Sequence, residues 1–345
     1  MIVQIFDKCV HDLEINGGYA LLPLSELHSS SNNAVSNAFD TARCAFDEIK
    51  LESDDECTVD GSLIPLIDPS TDSGGWTGYH KASHLNGRYN QHRQGFVFSN
   101  GELLKLHSNI DFESDTKQFF HFVHDVVASG VLRAIERRLE LPESYFDKEL
   151  GPTDNASQWH LKQYQVDELD EPSSDETTPL SQQHDQKVLL PMHTDPSLIS
   201  VVIIDSPGVL EGGKGLEVFQ TNCAKVTSPN ENDCKPKKNS GTWKAITHHG
   251  RDVAIIFVGS VLSYLTKGQV FSAIKHRVVD DCKGDTNDRM AATLFVRPQP
   301  DAYMKTLPSK YIEHEGASEK LPPTFRVWNA RVAKNYMKKK QKQKR

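Results

Sequence analysis

The sequence lacks the features that mark secreted and membrane proteins. Its six cysteines form no CxxC pair and show no regular spacing, so we interpret them as free thiols in a reducing compartment. No apolar run approaches the length that is needed to span a bilayer. The first ten residues reach Asp7 and Lys8 too early for the apolar segment of a secretory signal. We therefore expect a cytoplasmic protein without a membrane partner.

Positive charge is scarce in the body of the chain. The formal net charge is -8, and the absence of a basic cluster there argues against nucleic acid as a partner. The exception is the lysine-rich end, KNYMKKKQKQKR. We interpret it as a solvated end, with a nuclear or RNA-directed address as the alternative. Hydrophobic residues make up 37% of the sequence and charged residues 25%, so a sizeable core can form.

One stretch, KVLLPMHTDPSLISVVIID, carries the strongest chemical signal. An apolar run ends there in His193-Thr194-Asp195, and a second apolar run follows at once. Side chains alternate between the two faces of a strand, so His193 and Asp195 point to the same side. His276 in AIKHRVV is the best candidate for a third ligand, because it also lies in a β-branched run. Two imidazoles and one carboxylate form the facial triad that holds non-haem Fe(II) and leaves positions open for oxygen and substrate.

The residues around this motif strengthen the signal, since His-x-Asp alone is common. His276 is followed by RMAATLFVRP, which carries Arg289, and GGKGLEVFQ lies between the ligands. In this order, residues 159–298 resemble the 2-oxoglutarate and Fe(II)-dependent oxygenases, specifically the isopenicillin N synthase-like branch that includes the plant-type soluble dioxygenases. The resemblance implies an enzyme that uses Fe(II), 2-oxoglutarate and O2, with His193, Asp195 and His276 as metal ligands and catalytic residues.

The same resemblance assigns residues to the cosubstrate. Arg289 matches the arginine of the family's Arg-x-Ser motif, which pairs with the far carboxylate of 2-oxoglutarate, although Ala291 replaces the serine. Arginine suits this role because its planar fork donates two charge-assisted hydrogen bonds to a carboxylate. Arg297 is the alternative. WHLKQYQV matches the family's Asn-x-Tyr, with Lys162 in place of the asparagine and Tyr164 as a second cosubstrate residue.

The resemblance also implies the fold, which is mainly β with supporting α-helices around a double-stranded β-helix, or jelly roll. Amphipathic helices are predicted over 31–51 and 114–139 from apolar residues at steps of three and four, and a short strand followed by a helix is predicted for MIVQIFDKCVHDLEI. We expect an N-terminal helical and loop region at 1–150, the oxygenase core at 151–300 and a C-terminal helical extension with a basic tail at 301–345. The three are expected to form one structural unit, because barrel folds often use such a length as one domain.

A polar region ahead of the core, GGWTGYHKASHLNGRYNQHRQGFVF, interleaves aromatic, histidine and arginine residues. Such chemistry is typical of a loop that grips a polar or acidic small molecule, and a surface loop with anchoring aromatics is the alternative. Arg88, Tyr89 and Arg93 are predicted to bind the substrate, because an otherwise negative protein needs positive groups to attract an acid.

These observations predict an oxygenase for a small carboxylate or amino-acid-like metabolite. The reaction would be C-H hydroxylation, desaturation or oxidative ring closure, as in secondary metabolism. Two alternatives stay open: an iron oxidase that does not use 2-oxoglutarate, as in isopenicillin N synthase, and a non-catalytic cupin-like binding module. Lys162 and Ala291 favour the first of these alternatives. The protein is expected to be a monomer.

Overall fold

A computed structural model describes most of the chain. The described residues are 2–27, 31–51, 56–59, 62–66, 77–80, 92–99, 111–154, 156–164, 188–205, 215–221, 241–247, 250–280, 289–314 and 321–343. Two of the predicted substrate residues, Arg88 and Tyr89, lie outside these ranges. Among the helices that are described, none is long and apolar enough to cross a membrane.

The helices lie mainly before the core and at the end of the chain. A π-helical segment, Phe122–Ala128, joins the third helix to the fourth. In chain order the α-helices are α1 (Ile2–Ile15), α2 (Ser31–Asp47), α3 (Phe112–His121), α4 (Ser129–Arg138), α5 (Tyr145–Leu150), α6 (Ser260–Leu265) and α7 (Phe325–Gln343).

The strands run from the N-terminal region to residue 296. In chain order they are β1 (Tyr19–Pro23), β2 (Ile49–Leu51), β3 (Glu56–Val59), β4 (Ser62–Pro65), β5 (Gly78–His80), β6 (Arg93–Ser99), β7 (Gln158–Tyr164), β8 (Val188–His193), β9 (Ile199–Asp205), β10 (Leu216–Thr221), β11 (Gly241–Ala245), β12 (Val253–Val258), β13 (His276–Val279) and β14 (Met290–Val296).

Two antiparallel sheets form the core. The large sheet has the order β1-β12-β9-β14-β7-β6-β5, and the small sheet has the order β11-β10-β13-β8. From β7 to β14 the chain passes back and forth between them, which is the winding of a jelly roll. The predicted double-stranded β-helix with supporting helices is therefore confirmed. A third, three-stranded sheet joins β2, β3 and β4.

The strand β9 shows how the sequence builds two apolar layers. All of its residues are buried, as a continuous apolar run predicts for a strand that is covered on both faces. Val201 and Ile203 pack with the helices, whereas Val202 and Ile204 pack with residues of the small sheet. We call the face that is turned to the small sheet the interior face of the large sheet. A slip of one residue in register would exchange the two layers.

The N-terminal segment is one helix, so the short strand predicted at its start is wrong. Phe6, Cys9, Val10 and Leu13 are buried and recur at helical spacing, and this packing outweighs the β-branched residues at the beginning. The helix ends at a tight turn, where the Gly18 N-H donates to the Leu13 carbonyl at 2.8 Å.

The predicted helix over 114–139 forms, but α3, the π segment and α4 share it. Its fully buried residues recur at a constant spacing of four. In an α-helix such a stripe rotates by about 40° per step, because four residues exceed one turn of 3.6. The wider π turn reduces this drift and keeps the stripe against the sheet. The residues of the stripe are Phe119, Val123, Val127, Val131, Ile135 and Leu139.

Candidate functional site

The predicted metal ligands meet where β8 ends and β13 begins. His193 is the last residue of β8 and His276 is the first of β13, and the two are register partners across the antiparallel pair. Their ring centroids are 4.2 Å apart. Asp195 follows His193 by two residues and is 4% exposed. Strand pairing thus brings together ligands that are distant in the sequence.

The three side chains are spaced as ligands of one ion would be. Asp195 Oδ1 lies 3.5 Å from His193 Nε2 and 3.6 Å from His276 Nε2. One potential ligand atom from each residue falls within 4.8 Å of the other two. A two-histidine, one-carboxylate set of this kind suits ferrous iron and leaves coordination positions open.

Backbone carbonyls set the tautomers of both imidazoles. His193 Nδ1 lies 2.8 Å from the Pro191 carbonyl and His276 Nδ1 lies 3.3 Å from the Ile274 carbonyl. Because a carbonyl only accepts, each Nδ1 carries a proton, and each Nε2 is the nitrogen that is turned to Asp195 and available as a ligand atom. Burial, and then the nearby His276, lower the pKa of His193 to about 3. Neutral imidazoles are the form that binds a metal ion.

Contacts outside the ligand set hold the ligands in place. The Asp195 carbonyl accepts hydrogen bonds from the Ser260 N-H and hydroxyl, both at 2.8 Å. Gly259 precedes Ser260 in the chain. A Cβ at Gly259 would lie 1.9 Å from the Ser197 carbonyl oxygen, so only glycine fits at this position. The His276 ring stacks on Phe257 with centroids 4.5 Å apart. The site is therefore supported by rigid elements on both sides.

Arg289 and Tyr164 lie next to each other, as their predicted common role requires. The Arg289 guanidinium carbon is 5.4 Å from the centre of the Tyr164 ring, and the Tyr164 N-H donates to the Arg289 carbonyl at 2.9 Å. Gly215 makes room for this arginine, since a Cβ there would lie 2.4 Å from Arg289 Nη1. The Gly215 carbonyl accepts from the Val279 N-H at 2.8 Å. Val279 ends β13, three residues after His276. At the rise of a strand, Arg289 and Tyr164 therefore lie about 10 Å along the barrel from the triad.

Arg297 lies at the other end of β14 from Arg289. Its backbone N-H donates to the Ser157 hydroxyl at 3.3 Å, and its guanidinium carbon is 5.7 Å from the centre of the Phe295 ring. The two arginines are separated by a whole strand, about 26 Å at the usual rise. Of the two, Arg289 is the one that is placed beside Tyr164.

Arg93 lies on a strand and not on the loop that the sequence predicts. It begins β6 and is the register partner of Tyr164. The loop prediction was wrong here because glycine and polar residues dominate the surrounding composition, while the buried Phe96 and Phe98 of the same strand pack against the helices. Alternation then turns Arg93 to the interior face, beside Tyr164.

The interior face also carries basic residues to which the sequence assigned no role. Trp159 and Leu161 of β7 pack with the helices, so His160 and Lys162 point to the interior. His80 at the end of β5 does the same, because Tyr79 packs with the helices. Burial, and then the charges of Lys162 and Arg93, lower the pKa of His80 to about 2. The alternation in QWHLKQY was the sequence signal for the two β7 residues.

The neutral, buried His80 should make the stability of the protein sensitive to acid. Its folded pKa is lowered, so its contribution is complete above the ordinary pKa of about 6.5 and is lost as the pH falls below it. Between pH 8 and pH 5 the wild type should lose about 2 kcal/mol of unfolding free energy more than His80→Gln does. The charged and titratable groups around it are Lys162, Arg93 and His160.

Urea unfolding at both pH values measures this difference. His11→Gln, at an exposed position of α1, is the control and should keep the wild-type dependence on pH. Equal losses in the wild type and in His80→Gln would show that His80 becomes protonated without unfolding the protein.

Comparisons with known proteins identify the fold. No protein-family model matches the sequence, and no curated protein matches it either. Solved structures do match: a full-length Neurospora crassa protein in complex with alpha-KG has a TM-score of 0.61 and 17% identity, over 96% of this chain and 90% of that one. A 2OG-Fe(II) oxygenase family protein from Caulobacter crescentus has a TM-score of 0.59 and 16% identity, over 96% and 95%. JOX2, in complex with 2OG, Fe and JA, has a TM-score of 0.59 and 14% identity, over 95% and 80%.

These likenesses agree with the fold predicted from the sequence. They do not separate the isopenicillin N synthase-like branch from other branches, and membership of that branch stays a prediction. At identities of 17% or less, only the architecture carries over. The chain therefore has the double-stranded β-helix fold of the 2-oxoglutarate and Fe(II)-dependent oxygenases.

Proposed function

We propose that the protein is an Fe(II)- and 2-oxoglutarate-dependent oxygenase. It would oxidise a C-H bond of a small carboxylate or amino-acid-like metabolite by hydroxylation, desaturation or ring closure, as in secondary metabolism. The observation that carries the proposal is the His193, Asp195 and His276 triad, whose ligand atoms lie within 4.8 Å of one another. The Neurospora crassa protein is solved with alpha-KG, and JOX2 with 2OG and Fe, which supports the same cofactors here.

The donor set fits a ferrous ion. One carboxylate and two neutral imidazoles would hold it, and the carbonyls of Pro191 and Ile274 keep the imidazoles in the ligating tautomer. Such a set fills three positions and leaves the rest for other ligands. When bound, Fe(II), 2-oxoglutarate and O2 supply the oxidising chemistry that breaks the C-H bond.

The residues of the chain bind and orient the reactants. Arg289 would pair with the far carboxylate of 2-oxoglutarate, and the Tyr164 hydroxyl would donate to the same group. Between this pair and the triad, the interior face presents apolar side chains, among them Val202, Ile204 and Ala291. Such walls exclude water and strengthen the electrostatic contacts at both ends.

We also propose that the protein acts as a cytoplasmic monomer on a small molecule, without a nucleic acid or membrane partner. Cys9 and Cys57 are free and buried, and burial raises the pKa of the Cys9 thiol to about 12. Thiols of this kind are unreactive and compatible with a reducing compartment. Sedimentation analysis tests the monomer.

The function is tested by reconstitution with Fe(II) under anaerobic conditions, followed by 2-oxoglutarate, oxygen and a panel of carboxylates and amino acids. We expect succinate to form in a one-to-one ratio with oxidised substrate. Substrate oxidation without succinate would instead identify an oxidase that does not use 2-oxoglutarate. A chain that binds no iron at all would be a binding module and not an enzyme of this class.

A further inference from the structure

Four basic side chains share one part of the interior face. They come from the three strands at one edge of the large sheet, β5, β6 and β7, and all are turned to the interior by alternation. His80 is the register partner of Gly95, and Gly95 is in turn the partner of Lys162. The four are His80, Arg93, His160 and Lys162.

Gly95 determines where the Lys162 side chain goes. A Cβ at Gly95 would lie 2.7 Å from Lys162 Cδ and 2.1 Å from the Leu161 carbonyl oxygen. The stem of Lys162 therefore lies against Gly95 of β6, on the side of β7 that is turned to β5 and His80. The other neighbour of β7 is β14, at whose start Arg289 lies. Lys162 thus leans away from Arg289 and toward the edge of the sheet.

Lys162 and His80 of this cluster are buried, whereas Arg93 and His160 are half-buried. Lys162 and His80 are each 4% exposed. Within the described ranges, His80 Nδ1 and His160 Nε2 are buried and have no hydrogen-bond partner. Buried polar atoms without partners cost free energy. A ligand that brings polar atoms into the cluster would remove that cost.

We propose that His80, Arg93 and Lys162 form a subsite for the carboxylate of the primary substrate, separate from the Arg289 and Tyr164 pair. This assignment rests on the proposed function, because it places the carboxylate of the substrate and the far carboxylate of 2-oxoglutarate at two different sites in one barrel. Lysine and arginine donate charge-assisted hydrogen bonds to a carboxylate. A local concentration of positive charge in a protein of net charge -8 would also draw an acid to this face. The substrate class is then a small organic acid and not a neutral molecule.

Binding measurements test the subsite without turnover. The full chain, loaded anaerobically with Fe(II) and saturated with 2-oxoglutarate, is titrated with acetate, propionate and benzoate and with the matching neutral amides, and binding is followed by saturation-transfer NMR. We expect at least one acid to bind where its amide does not. Lys162→Met, which keeps the length of the stem, should weaken that binding about tenfold or more. The affinity for 2-oxoglutarate should stay within about twofold, in contrast to Arg289→Ala.

The outcomes separate this proposal from its rivals. Equal binding of acids and amides would overturn it, as would a Lys162→Met variant that loses 2-oxoglutarate as strongly as Arg289→Ala does. If Lys162→Met does not fold, His80→Ala tests the subsite from β5, on the side away from Tyr164, by the same criteria. Acid binding that depends on Lys162 in a chain without 2-oxoglutarate turnover would support the subsite and refute the proposed oxygenase.

Discussion

Asp195→Ala is expected to abolish Fe(II) binding and turnover while leaving the fold in place. Asp195 supplies the carboxylate of the triad, and its Oδ1 lies within 3.6 Å of both Nε2 atoms. Loss of a group that only orients a ligand costs about 10- to 100-fold in metal affinity, so loss of a ligand itself should cost more than about 100-fold. Anaerobic titration with Fe(II) measures the change. His193→Ala and His276→Ala should give the same result.

The control is a carboxylate of the same type away from the barrel interior. Asp301, whose side chain is 84% exposed, pairs with Arg326 at 3.3 Å on the surface. Asp301→Ala should bind iron like the wild type, and circular dichroism should show equal helix and strand content in all variants. Wild-type iron affinity in any of the three triad variants would remove that residue from the ligand set.

The triad could be predicted because His193-Thr194-Asp195 and His276 each lie in a local sequence pattern that is typical of a strand. The alternation of side chains in a strand places His193 and Asp195 on one side, and a β-branched run marks the strand of His276. The distance between the two strands in sequence does not matter once β8 ends and β13 begins at the same end of the small sheet. The sequence did not predict that His193 and His276 are register partners, since register is set by the packing of whole sheets.

The basic cluster on the interior face was not predictable, because it depends on a pairing between distant segments. β6 pairs with β7, which lies more than 50 residues later, and short strands show their character only against their neighbours. Read alone, the segment around Arg93 is polar and glycine-rich, which is typical of a loop. Gly95 in particular is typical of a turn in the sequence, whereas in the fold its missing side chain leaves room for the Lys162 stem.

Arg289→Ala is expected to weaken 2-oxoglutarate binding by about 30-fold or more and to leave iron affinity unchanged. Truncation of one partner of a buried charge pair costs about 2 to 5 kcal/mol, because the other charge is left buried and unpaired. Arg289 is half-buried, so the lower part of that range applies. Arg289→Lys should restore only part of the affinity, since an ammonium lacks the planar fork. Calorimetric titration of the Fe(II)-loaded protein under nitrogen measures both constants.

Two further variants show whether the position of the guanidinium, and not only its charge, determines this affinity. Gly215→Ala would place a Cβ 2.4 Å from Arg289 Nη1 in a backbone conformation, φ +111°, that only glycine adopts freely. It should displace the arginine and weaken 2-oxoglutarate binding without removing any charge. Arg297→Ala removes the same charge from the opposite end of β14 and should bind 2-oxoglutarate like the wild type. If Arg297→Ala weakens binding and Arg289→Ala does not, the far carboxylate binds at the other end of the barrel and the assignment of Arg289 is wrong.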